Sequence, residues 1–343
     1  MRSLPSPLQT VALDVCTNSD TVAFEKWKRQ IGITAESRRI LGHSTERLRR
    51  LLSLVYLRFQ EHGVEMDRSL TTYLRLARAR EQLRTETVRQ ICGDVLTGLS
   101  RDGVSPIVVG GMAAAETVYP DPAARHCHDF DLLLPVEQMD AAAAVVARAG
   151  YRATTRAGAS GSSRWHLHSS RFPIAFHSSP FRVRAWNTDG RALIERSRPA
   201  SIVGCDARIL SVEDALVHIC CSGITAGRRH SPCWPADAWF LIARSGAGFD
   251  WDAFVAIARV SDRAPAVLVA LEYLEAGLRT PIPSGVLQQL RATPPSDAAI
   301  GAMATAALLS NYDRRLGLIR RSGKPADMAR TTIWALRARN EPT

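Results

Sequence analysis

The chain has 343 residues, 46% of them hydrophobic and 22% charged, enough for one large or two modest domains with a sizeable core. No run of about 18 apolar residues occurs, so the sequence reads as free of membrane-spanning helices. The formal charge of +11 permits nucleic acid as a partner without favouring it, because the arginines are spread along the chain and Lys26, Lys28 and Lys324 are the only lysines.

Residues 1–20 read as an irregular tail: Met1-Arg2-Ser3-Leu4-Pro5 has no apolar signal core, and Asp14 interrupts the run after Val11-Ala12-Leu13. The expected location is therefore cytoplasmic. Residues 21–102 read as a helical N-terminal region. Leu48, Leu51, Leu52, Val55 and Phe59 recur at helical spacing, as do Val88, Ile91, Cys92, Val95, Leu96 and Leu99, with Asp102-Gly103 as the stop. The texture then changes. Ile107-Val108-Val109 is a short apolar run of strand type that Gly110-Gly111 ends, and residues 112–118 resume helical composition until Tyr119-Pro120-Asp121-Pro122 breaks it.

Asp129-Phe130-Asp131-Leu132-Leu133-Leu134 reads as a strand closed by Pro135, and residues 141–149 as a helix with Gly150 at its C-terminal cap. Two β-like pieces follow, at 164–169 and 172–177. The α/β core is thus expected over 103–210 and a helical C-terminal region over 211–343, opened by Ser211 as N-cap with Asp214 three residues on. Further helices are expected at 236–244 and 250–259, and in the arginine-rich tail after Ser310. Trp239, Phe240, Trp251, Phe254 and His218 read as core, and Glu213 and Asp214 as helix-dipole partners. The seven cysteines lack metal-type spacing and read as reduced, mostly buried thiols.

The chemistry concentrates at 106–134. Carboxylates at i and i+2 on a strand project to the same face, so Asp129 and Asp131 could share a hard cation such as Mg2+, while Phe130 points into the core. Upstream, a strand that ends in Gly110-Gly111 and passes into a helix brings backbone N–H groups, Met112 included, toward a phosphate. Each signal is weak alone; the order strand, glycine pair, helix, Asp-x-Asp strand, helix is far more specific.

That order, carried by Pro106-Ile107-Val108-Val109-Gly110-Gly111-Met112, by Arg125 and by His128-Asp129-Phe130-Asp131-Leu132-Leu133-Leu134, resembles a bacterial nucleotidyltransferase-like family of the DNA polymerase β superfamily. The similarity extends over roughly residues 35–290. It takes in His168, Phe176-His177, the segment from Arg208 to His218, Trp234-Pro235-Ala236-Asp237 and Asp250-Trp251. The resemblance implies an α+β fold, a minimal mixed sheet with helices flanked by helical regions. It also implies transfer of a nucleoside monophosphate from an NTP, ATP by default, to a small-molecule, peptide or protein acceptor. On it, Asp129 and Asp131 hold Mg2+ (two ions in an intact site, or one), Gly110 and Gly111 contact the triphosphate, and Arg125 neutralises phosphate charge.

Two positions depart from the family pattern: the third carboxylate's place reads Ala175, and Gly110 stands where a lysine is common. These departures admit a binding or sensing protein that keeps the fold, and the charge admits an RNA-modifying transferase. Among the remaining residues, Asp237 is a candidate to line the cleft and Arg125 could instead pair with an aspartate. His126 and His128 read as loop residues. His166 and His168 share one strand face opposite His177, but no Cys or Glu completes a zinc site; His168 or His177 is expected as a base or phosphate contact. Oligomeric state is left open.

Overall fold

The computed structural model describes residues 4–18, 20–31, 48–155, 162–167, 172–179, 181, 190–225 and 231–310. The expected helical tail beyond residue 310 and His168 lie outside them. The fold is α+β, a mixed sheet flanked by helices on the N-terminal and C-terminal sides.

The first helix corrects the sequence reading of residues 1–20. α1 (Pro7–Thr17) opens with a capping box in which Ser6 and Gln9 satisfy each other's backbone N–H, and Pro7 sits at the first helical position. Val11, Ala12, Leu13, Val15 and Cys16 are all buried. Asp14, which broke the apolar run in sequence, faces outward, accepting from Asn18 Nδ2 at 2.6 Å and Arg279 Nη2 at 3.0 Å. So short a helix forms because it packs, here against helices far along the chain, and local pattern does not show that.

α2 (Thr21–Ile31), α3 (Leu52–Glu61) and α4 (Arg68–Arg101) follow. α4 runs 34 residues from an Asp67 cap that accepts from Leu70 N at 2.9 Å. It ends where the sequence predicts, with Gly103 at φ +72°. Its buried Val88, Cys92, Val95, Leu96 and Leu99 form the apolar stripe that lies against one face of the sheet.

Among the described residues the sheet has seven strands: β1 (Ile107–Val109), β2 (Phe130–Leu133), β3 (Tyr151–Thr155), β4 (Ser162–Leu167), β5 (Ile174–His177), β6 (Arg198–Ile202) and β7 (Cys205–Ile209). Their order is β3-β4-β5-β2-β1-β7-β6. β2 runs parallel to β5 and β1 parallel to β7; the other pairs are antiparallel. Three strands, β3, β6 and β7, have no counterpart in the sequence reading. β6 and β7 form a hairpin around Val203 and Gly204, both at positive φ, and their mostly exposed or half-exposed residues lack a clean alternation.

Helices α5 (Gly110–Thr117), α6 (Met139–Arg148) and α7 (Gly190–Arg196) intersperse the strands. The C-terminal helices are α8 (Val212–Thr225), α9 (Trp234–Ser245), α10 (Trp251–Val260), α11 (Ala264–Leu278), α12 (Ser284–Arg291) and α13 (Asp297–Ser310). Ser211 caps α8 as expected, its Oγ accepting from Asp214 N at 3.1 Å, and Arg196 grips the Asp214 carboxylate from outside at 2.8 and 2.9 Å.

Period-two alternation splits the strands between two cores. Val108, Phe130, Leu132, Ile174 and Phe176 join α4 and α6 on one side. Ile107, Val109 and Leu133 join the C-terminal helices on the other. Asp131, one residue out of phase with Phe130 and Leu132, falls on the second face, toward the C-terminal helices.

Candidate functional site

The site forms where β1 ends beside β2. Val109 pairs with Asp131 across the antiparallel ladder, and Asp131 pairs with Ala175 on the other side. Paired residues share a face, so Asp131, Ala175 and, two residues along β5, His177 project together. His177 Nε2 lies 2.8 Å from Asp131 Oδ1, both side chains largely buried. Asp129, just before β2, is 8% exposed, and His128 Nε2 approaches its Oδ2 at 3.6 Å. Partial desolvation above all, then the charges of Arg50 and Arg125, holds the His128 ring, 43% exposed, below its ordinary pKa.

After Val109 the chain turns through Gly110, at φ +69°, straight into α5. A Cβ on Gly110 would stand 3.4 Å from Asp131 Oδ2, so the glycine turn and the carboxylate face each other without a side chain between them. The N-cap residue of α5, Val109, offers no side-chain acceptor, so its first-turn N–H groups are not capped by it. Met112, the next residue, buries its side chain in the sheet core and could offer only its backbone.

Gly111 has a different reason to be glycine. Its Cβ would fall 2.8 Å from Arg125 Nη1 and 3.1 Å from Cζ. Arg125, 6% exposed, donates from Nε and Nη2 to the two carboxylate oxygens of Asp237 at 2.9 and 2.8 Å, and from Nη1 to the His126 carbonyl. Tyr119 donates its hydroxyl to Asp237 Oδ1 at 2.7 Å. Burial alone would pull the Arg125 pKa down, but the Asp237 carboxylate reverses this and holds the guanidinium charged. Arg125 therefore pairs with an aspartate, but with neither Asp129 nor Asp131. The sequence reading placed Arg125 on phosphate and Asp237 in the cleft; in the structure they bind each other and brace the glycine turn against α9.

The packing at Gly111 makes a prediction. Gly111→Ala pushes the buried Arg125 guanidinium off Asp237, so a loss of about 1–3 kcal/mol is expected in urea unfolding. Unchanged stability would show that the arginine relaxes freely.

His126, expected only as a loop residue, is held by α4: its Nδ1 lies 2.9 Å from both Glu81 oxygens. Arg84, one turn on, reaches the same carboxylate at 3.4 Å. The sequence reading does not contain this contact with the N-terminal helices; its one local signal is that Arg78 and Glu81 fall among the buried positions Leu70, Leu74 and Val88 of α4. Gly110 also lines an apolar crevice with Ala113, Ala114, Leu210, Ala215 and His218, between α5 and α8 at the carboxyl ends of the parallel β1 and β7.

Among the described residues no group of three or more His, Cys, Asp or Glu side chains gathers as a metal cluster. Two carboxylates beside a glycine turn nevertheless fit Mg2+, which is commonly held by one or two carboxylates plus substrate phosphates while keeping several waters. A second ion asks for a further carboxylate, and the position in register with Asp131 is the fully buried Ala175. The residues present fit one ion better than two. Among the described residues no helix is long and apolar enough to cross a membrane.

Comparison with known proteins places the chain in a family. The family described as uncharacterised nucleotidyltransferase matches residues 45–278, a span that contains α3 to α11. Neither the curated proteins nor the solved structures compared with the chain gave a match. With more than half its length inside that span, including the whole sheet, the chain belongs to this family of nucleotidyltransferases.

Proposed function

We propose that the chain is an Mg2+-dependent nucleotidyltransferase that moves a nucleoside monophosphate from an NTP, ATP by default, to a small-molecule, peptide or protein acceptor. The observation that carries this is the approach of the Gly110 turn to Asp131, with 3.4 Å between the missing Cβ and Oδ2. A phosphate lying on the turn's N–H groups would rest against the carboxylate pair. Asp129 and Asp131 would hold the ion, whose chemistry is to neutralise phosphate charge and align the leaving pyrophosphate. Gly110 and Gly111 would offer backbone donors to the triphosphate. His177, against Asp131 Oδ1, would fix that carboxylate's orientation or take the proton of an attacking hydroxyl or amine. Arg125 and Asp237 have no contact role in this scheme; they position the turn.

Ala175 favours a second reading, a protein that binds Mg2+ and NTP without turnover, because the register opposite Asp131 offers no further carboxylate. Titrating each of the four NTPs into the protein with and without Mg2+, and assaying pyrophosphate release, separates the two. Mg2+-dependent binding with pyrophosphate release in the presence of an acceptor supports the transferase. Binding without release across a broad acceptor screen selects the second reading, and no binding of any NTP removes both.

A further inference from the structure

The two carboxylates of the site do not stand on equal footing. Asp131 lies inside the sheet, its backbone paired with Val109 on one side and Ala175 on the other. Asp129 precedes that ladder, whose first pair is Phe130 with Ile174, opened by the Phe130 N–H donating to the Pro173 carbonyl at 2.9 Å. It takes its place from the segment before it, residues 119–129, whose regular structure is limited to the 3-10 turn Pro122–Ala124. A loop of this kind holds a side chain accurately only where its own residues are fastened.

The fastenings come from both helical regions in turn. Asp237 of α9 holds Tyr119 and Arg125. The N-terminal helices hold the residues between and beyond these. Arg78 pairs with Asp121, and Ser53 Oγ donates to the Ala123 carbonyl at 2.6 Å while accepting from Arg78 Nη1 at 3.0 Å. At i+3 from Arg78 on α4, Glu81 meets His126 Nδ1 with both oxygens at 2.9 Å. Burial opposes the Glu81 charge, but the His126 bond and Arg84 outweigh it and hold the carboxyl below its ordinary pKa. An ionised carboxylate only accepts, so Nδ1 carries the proton and the imidazole is fixed in orientation. Glu81 is 9% exposed and Arg78 7%, which keeps competing water from these bonds. His126 stands three residues before Asp129, about 10 Å of chain at full extension. The chain is thus pinned at His126 and again at Phe130, with Asp129 between.

We propose that Glu81, through its bond to His126, positions Asp129 for the ion, so that the N-terminal helical region sets one metal-holding carboxylate while the sheet sets the other. The inference rests on the role given to Asp129 above. Glu81 and His126 are positioning residues in this scheme: they act through the backbone of residues 126–129 and touch neither the ion nor the nucleotide. Removing a group that orients a metal ligand typically weakens metal binding by about ten- to a hundredfold. Because Asp131 keeps its ladder on both sides, the loss is confined to what Asp129 contributes.

The test titrates Mg2+ into the full chain with ATP as the probe nucleotide and reads the Mg2+ concentration that gives half-maximal ATP binding. Glu81→Leu and His126→Ala should raise it roughly tenfold or more, while metal-free ATP binding changes little. Glu81→Gln keeps an acceptor for Nδ1 and His126→Asn keeps a donor near the Nδ1 position, so both should stay within about threefold of wild type. In the Asp129→Asn background, Glu81→Leu and His126→Ala should add nothing further, because the ligand they position is already lost. Urea unfolding is measured on every variant. His126, its side chain 18% exposed, is the milder site, and His126→Ala decides the matter if Glu81→Leu does not fold. Lowered urea stability with wild-type Mg2+ dependence in His126→Ala makes the pair merely structural and overturns the proposal. A loss that persists in full in the Asp129→Asn background overturns it as well, and both results leave the transferase reading standing. Absence of Mg2+-dependent ATP binding by wild type overturns the proposal together with that reading.

Discussion

Asp131→Asn is expected to lower acceptor-dependent pyrophosphate release by about a thousandfold or more, and Asp129→Asn to do nearly the same. Stabilisation of phosphoryl charge by a bound ion is worth several kcal/mol, and about 1.4 kcal/mol is a factor of ten in rate. Asparagine keeps the shape of the side chain, so the sheet should not notice the change. Position 131 pairs through its backbone with Val109 and Ala175, and an amide oxygen can still meet His177 Nε2. Little or no change in urea unfolding is therefore expected beside the loss of activity. The pair also predicts how binding fails: MgATP affinity should drop while metal-free ATP binding changes little. Activity within tenfold of wild type in both variants would place the ion elsewhere and end the assignment of Asp129 and Asp131.

Asp237→Ala is the second large effect, and here stability changes most. The variant leaves Arg125 charged, 6% exposed and without its bidentate acceptor, and strands the Tyr119 hydroxyl as well. Removing one partner of a buried ion pair costs about 3–5 kcal/mol, a large part of the total stability of an ordinary domain. Urea unfolding measures it. The informative companion is Arg125→Met/Asp237→Leu, which removes both buried charges and should recover a large part of the loss, the Tyr119 hydroxyl still lacking its acceptor. Were Arg125 a phosphate ligand instead, Arg125→Ala would chiefly weaken NTP binding and Asp237→Ala would be mild. A small stability change in Asp237→Ala would thus refute the brace.

The parts of the site that are local in sequence were legible there. Asp129 and Asp131 announce themselves because a strand alternates, and Phe130 between them is the core residue the pattern requires. Gly110 is legible because a strand that must turn at once into a helix needs positive φ, and it has it. What lay beyond reading is whatever depends on distant partners. Arg125 and Asp237 both stand out as residues of interest, yet their pairing spans 112 positions and no local pattern reports it. His177 could be suspected, but its contact with Asp131 follows from the parallel register of β2 and β5, which the strands' sequences do not specify. The β6–β7 hairpin hid because its residues are mostly exposed or half exposed and its turn puts a valine, Val203, at positive φ.

The position of α1 bears on how the chain comes to be folded at all. Its Thr10 hydroxyl meets Tyr273 at 3.0 Å across 263 residues, and Arg279 closes on Asp14 and Asp20 from as far away. α1 thus has its seat among helices made much later than itself. At roughly 5–20 residues per second, Val11, Leu13 and Val15 wait about 13–50 s for α11 to be synthesised, their apolar surface meanwhile without its final cover. β1 waits in the same way for β7, about a hundred residues downstream, before its second edge is paired. Nascent chains that end short of residue 264 therefore carry α1 without its seat against α11.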